Sequence, residues 1–154
     1  QMECDPATVF SYGYLKKLKK EAGDLLDRKI HFLKAVPREE LLKYTASADF
    51  GVIPYKVIDL NTKFCMPNKF FEFIQAGLPI LSNELIEVEK IFKQIGGGGL
   101  IAKLDSPGNV ALALDEMLKR DLTDDRQKLC RARQTFSWDQ ESREFLRIVR
   151  QAME

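Results

Sequence analysis

Glu72 carries the clearest chemistry in this chain: a single carboxylate in PNKFFEFIQAGLPIL (residues 67–81), near the start of a predicted helix that ends in a glycine before a strand. An ionised carboxylate accepts hydrogen bonds from two vicinal hydroxyls, such as those of a ribose, and each is worth about 1.5 to 3 kcal/mol when charge-assisted. Pro67 suits the first helical turn, where a missing N–H costs nothing, and Gly77 suits the helix end, where a left-handed residue is wanted. The N–H groups exposed at such a helix start attract anions. Asn68 and Lys69 lie on that first turn, and a lysine there opposes the helix dipole unless an anion binds nearby. One short segment thus offers a phosphate site and, a turn later, an acceptor for hydroxyls. The bland alternative is that Glu72 and Lys69 simply face solvent.

Other candidate chemistries are weaker. The one histidine, His31, lies inside the apolar run IHFLKAV and reads as a core residue on a strand, which argues against a catalytic triad or a two-histidine metal site. Gly96 to Gly99 do not form a phosphate loop, because no Lys-Ser or Lys-Thr follows and the run precedes a strand; a flexible turn is expected. Asp49 and Asp59 lack a spaced partner that would argue for a carboxylate dyad or a divalent-metal site. Cys4, Cys65 and Cys130 are odd in number with no C-x-x-C pair, which argues for a reducing compartment and against disulfides or structural zinc.

The elements that must position Glu72 follow from periodicity. Leu15, Leu18, Ala22, Leu25 and Leu26 predict an amphipathic helix over residues 14–26, with the LKKLKK lysines in water. Residues 30–35, 49–55, 78–82 and 100–104 read as short apolar strands. Helices are expected to open at Pro37 and Pro67, over residues 85–95 and 110–118, and twice more, the last carrying Trp138, Phe145, Val149 and Ala152. Residues 56–66 read as a loop. Strands of this kind, alternating with helices, predict an α/β fold with a doubly wound parallel sheet covered on both faces. Ligands bind such sheets outside the carboxyl ends of the strands, so the loops after Ala35, Tyr55 and Ser82 should gather there with the Pro67 helix start.

The 154 residues suit one domain. Lysine plus arginine against aspartate plus glutamate, 24 minus 23, is a formal +1, too little to recruit nucleic acid over the whole surface. No apolar run approaches the roughly 18 residues a membrane span needs, and a soluble cytoplasmic protein is expected.

The succession IHFLKAVPREELLKYTASADFGVIPY, PNKFFEFIQAGLPIL and GGGGLIAKLDSPGNVALALDEML resembles the C-terminal, donor-binding domain of group 1 glycosyltransferases, the retaining family four enzymes of the GT-B fold. The resemblance covers nearly the whole chain from Gly13 onward, and FEFIQAGLPIL is its specific part. It implies a Rossmann-like half-domain that binds a nucleoside diphosphate sugar without a metal ion or other cofactor. Glu72 matches the family glutamate that holds the ribose hydroxyls. Its usual partner glutamate, eight positions earlier, is replaced by Phe64, and PNKFFE looks like the Pro-x-Lys-x-x-Glu variant of the loop. There, the backbone around Met66, Pro67 and Asn68 would face the diphosphate. Residues 32–36 match the nucleobase-binding edge, implying roles for Lys34 and Val36, and Tyr55 follows the strand that opens toward the donor. The resemblance also implies residues before Gln1 that bring an arginine and a lysine to the pyrophosphate, and an N-terminal acceptor domain as partner. Chain 1–154 would then be one N-terminally truncated domain. Similar proteins assemble polysaccharide or glycolipid at the cytoplasmic face of a membrane. Two alternatives share the architecture: a noncatalytic interaction module, and a GT-B sugar-nucleotide epimerase.

Overall fold

The structure is a computed structural model that describes residues 6–153, with side chains from residue 13 onward. Cys4 lies outside the described residues. The chain forms two compact units, residues 1–36 and 37–154.

In the first unit, helix α1 (Pro6–Ala22) ends in a single 3-10 turn, Gly23–Leu25. Lys16, Lys17, Lys19 and Lys20 are exposed, while Leu15, Leu18 and Ala22 are half-buried, as the periodicity requires, but the helix ends at Ala22, short of the expected residue 26, and Leu25 is exposed. Residues 31–37, by contrast, are irregular; among the described residues of this unit the one pairing is a bridge between Leu26 and Ile30. The expected strand over residues 30–35 is therefore absent. A short apolar run does not distinguish strand from coil, and strand identity needs a backbone partner. Leu33 is 75% exposed, and His31 is exposed rather than a core residue on a strand.

The second unit is a mixed α/β fold built on three parallel strands, β1 (Gly51–Ile53), β2 (Ile80–Ser82) and β3 (Gly99–Ile101), in the order β1-β2-β3. Helix α2 (Arg38–Ala46) precedes β1; α3 (Leu60–Phe64) and α4 (Asn68–Ala76) connect β1 to β2; α5 (Ile86–Ile95) connects β2 to β3. Three helices follow, α6 (Pro107–Lys119), α7 (Thr123–Ala132) and α8 (Trp138–Met153). Strand alternation sends Ile53, Ile80 and Ile101 to one face, where they pack with Phe70 and Ile74 of α4, Val88 and Phe92 of α5 and Leu129 of α7. Val52, Leu81 and Leu100 face the other way, onto Ala113 and Met117 of α6. Helices thus cover both faces, as the near-continuous apolar strands predict. The strands run in chain order with no reversal among them.

Residues 56–66, expected to be a loop, contain α3, which a local signal starts. Asp59 is its N-cap and accepts a hydrogen bond from the Thr62 N–H at 2.7 Å. The glycine run is held in place where a flexible turn was expected. Gly96 closes α5 in the left-handed conformation, and the Gly98 N–H donates to Asp125 Oδ1 at 2.8 Å. Asp125 is buried, and its other oxygen accepts from Arg120 Nε at 3.1 Å. Both partners serve a charge removed from water, which is what makes burial of that charge tolerable. Asp125→Ala is expected to cost about 1 to 3 kcal/mol in urea denaturation, because the buried Gly98 N–H loses its acceptor. An unchanged midpoint would show that the contact is dispensable.

Candidate functional site

Helix α4 runs from the carboxyl end of β1 back to the amino end of β2, so its start must lie at the carboxyl edge of the sheet. Phe70 and Ile74 point into the core and anchor the helix, and Gly77 ends it with φ 64°. In this conformation the Gly77 N–H reaches the Ile74 carbonyl and the Leu78 N–H reaches that of Phe73, which releases the chain into β2. Pro67 is the N-cap, and no side chain caps the helix there. The Asn68 and Lys69 N–H groups therefore have neither an intrahelical acceptor nor a side-chain cap, while the Phe70 N–H donates to the Pro67 carbonyl oxygen at 2.9 Å.

Glu72, one turn on, is neither buried nor enclosed by its phenylalanine neighbours, since its side chain is 38% exposed. It lines a groove of about 1140 Å³ with Asn68, Phe71 and Gln75 of the same helix, Arg38, Leu41 and Thr45 of α2, and Phe136 and Trp138 around the start of α8. Lys69 Nζ stands 3.9 Å from Glu72 Oε2, too far for a hydrogen bond. Both side chains are well exposed, so this pair is a weak, solvent-screened attraction. Among the described residues the Glu72 carboxylate accepts no hydrogen bond, which leaves it available to a hydroxylated ligand. Gln75 is committed elsewhere, donating to the carbonyls of Arg133 and Phe136 at 2.9 Å and fixing the turn that carries Ser137 and Trp138 to the groove rim.

The remaining residues fall into three places. Met66 is half-buried and Pro67 buried where the chain enters α4, with Asn68 exposed at its first position. Tyr55 stands beyond β1, 41% exposed, with its carbonyl oxygen held by Asn83. Lys34, exposed, and Val36, half-buried, belong to the first unit. Phe64, at the position of the usual partner glutamate, is exposed on α3.

Three residues around this region were not singled out in the sequence. Arg38 brings a guanidinium to the groove from the first turn of α2. Trp138 brings an aromatic face that is 77% exposed. Asn83, directly after β2, is buried at the carboxyl edge, and a polar residue ending the run PILSN was the available signal. Nearby, Lys103 and Asp105 pair at 3.0 Å beyond β3, which raises the lysine pKa and lowers that of the aspartate.

The Thr62 backbone hydrogen bond holds the Asp59 carboxyl below its ordinary value of 3.8. A carboxylate depressed by folding contributes stability above its unfolded pKa and loses it as pH falls through the folded one. The Thr62 amide proton shift should therefore titrate with a midpoint below 3.8. A midpoint at or above that value would mean that Asp59 does not cap α3.

Among the described residues no helix is long and apolar enough to cross a membrane. No family model matches the chain, and no curated protein matches it either.

Proposed function

We propose that this chain is the donor-binding half of a retaining GT-B glycosyltransferase, which moves a sugar from a nucleoside diphosphate sugar to an acceptor hydroxyl. The carrying observation is Glu72, half-exposed one turn inside a helix whose start lies at the carboxyl edge of a parallel sheet and lining a groove between that helix, α2 and the start of α8. Its free carboxylate suits the paired hydroxyls of a ribose, and the amides of the first turn suit the diphosphate. The order β1-β2-β3 also fits the second half of a doubly wound sheet, in which strands 4, 5 and 6 follow one another outward from the reversal. In this reading the first half and the acceptor domain are supplied by other parts of the protein.

The chemistry is departure of the nucleoside diphosphate while an acceptor hydroxyl attacks on the same face. Preorganised amides and cations stabilise the charge growing on the leaving phosphate, and the protein's contribution is position and electrostatics. Met66, Pro67, Asn68 and Lys69 would border the diphosphate, and Tyr55 the nucleoside side.

A noncatalytic module is the second reading, favoured by Phe64 at the position of the partner glutamate. Melting curves of the intact protein separate the two. A ligand at a hundred times its Kd stabilises a fold by about 2.7 kcal/mol, so uridine, guanosine or adenosine diphosphate should raise Tm by several degrees. No rise with any of the three would refute donor binding. Sugar transfer that requires an acceptor and keeps the anomeric configuration would exclude the epimerase alternative.

A further inference from the structure

At the carboxyl edge of the sheet one side chain joins the segments that leave all three strands. Asn83 is 5% exposed and follows β2 directly. Its Nδ2 donates to the Tyr55 carbonyl oxygen at 2.7 Å, beyond β1. Its Oδ1 accepts from the Glu84 N–H at 3.0 Å, on its own segment, and from the Leu104 N–H at 3.1 Å, beyond β3. The Asn83 backbone N–H also donates to the Ile53 carbonyl oxygen at 3.0 Å, which extends the β1 pairing by one residue. Two amide donors meeting the oxygen and one carbonyl meeting the nitrogen fix the orientation of the side-chain amide, because the flipped form would set like against like at each contact. Aspartate would fail on one arm only, since its oxygens satisfy the two N–H groups and repel the Tyr55 carbonyl. A core position needing only bulk would not require an amide.

We infer that Asn83 is a positioning residue for the ligand site, holding the segment that begins at Tyr55 in place at the strand ends; this rests on the donor-binding reading above. Apart from Asn83, the segment has few anchors. Lys56, Val57 and Ile58 are exposed, and irregular backbone runs from Pro54 to the Asp59 cap of α3. The Asn83 amide is thus the buried polar tether between this segment and the sheet. It touches no ligand itself and acts through Tyr55.

Asn83→Asp cuts the Tyr55 arm alone, and Asp125→Ala serves as its control at the opposite, amino edge of the sheet. Both variants are expected to lower Tm. In the intact protein, the backbone order parameters of residues 55–58 should fall clearly in Asn83→Asp, while amide exchange at residues 84 and 104 stays slow, and those order parameters should be unchanged in Asp125→Ala. Affinity for whichever of uridine, guanosine or adenosine diphosphate binds the parent protein should fall about tenfold in Asn83→Asp and by less than twofold in Asp125→Ala. Equal losses of affinity in the two variants would reduce Asn83 to a stability residue, and unaltered order parameters at 55–58 would refute the tether. Lowered order parameters at 55–58 with no diphosphate bound even by the parent protein would overturn the donor-binding reading and leave the tether alone standing.

Discussion

Gly99→Ala is expected to lower stability by about 4 kcal/mol or more, which for a chain of this size is a fall in Tm of roughly 15 °C. Gly99 opens β3 with φ 145°, a conformation that residues with a Cβ rarely adopt. An added methyl would overlap the Ile80 carbonyl oxygen and stand 2.6 Å from the Ile80 nitrogen. The obstacle is the backbone of the central strand, so no side-chain rotation relieves it, and separating β2 from β3 would break the pairing that joins them. Two other glycines calibrate the effect. Gly96 also has positive φ but faces open space, so its alanine variant should cost only about 1 to 2 kcal/mol. Gly108 lies within α6 with nothing near it, and alanine there should be neutral or slightly stabilising. If all three substitutions cost the same, the close approach of β3 to Ile80 is not what limits position 99.

Much of the second unit was legible because its signals are local. Gly77 ends α4 as its type dictates, Pro67 stands one position before the first turn as the N-cap, and Val88, Ile91, Phe92 and Ile95 mark one face of α5. The apolar strands announced a sheet covered on both sides. Local signals failed where the deciding partner lies far along the chain. The IHFLKAV run looks like a strand, yet strand identity depends on pairing that composition does not encode. The glycine run looks flexible until Asp125, some 27 residues further on, accepts the Gly98 N–H. Asn83 serves Tyr55 and Leu104, which lie 28 and 21 residues away. Within the site, Glu72 and its helix could be read directly. The groove could not, because it arises where α4, α2 and the start of α8 meet, and Arg38 and Trp138 join Glu72 only through that packing.

The second large effect belongs to Glu72, whose removal should leave the fold intact and disable the site. Its side chain is 38% exposed, and its only described ionic partner is the solvent-screened Lys69, so Glu72→Ala should change stability by less than about 0.5 kcal/mol. Binding is a different matter. A carboxylate that accepts from both ribose hydroxyls contributes through charge-assisted hydrogen bonds, and its loss should weaken nucleoside diphosphate affinity by tenfold or more. Glu72→Gln keeps the shape and one acceptor but loses the charge, so it should fall between the parent and the alanine variant. Donor binding is therefore tested most directly by calorimetric titration of uridine, guanosine and adenosine diphosphates into the intact protein and its Glu72→Ala variant, at a temperature where both are folded. Donor binding predicts at least a tenfold loss of affinity for the diphosphate that binds, with Tm unchanged; a loss of less than about threefold would contradict it.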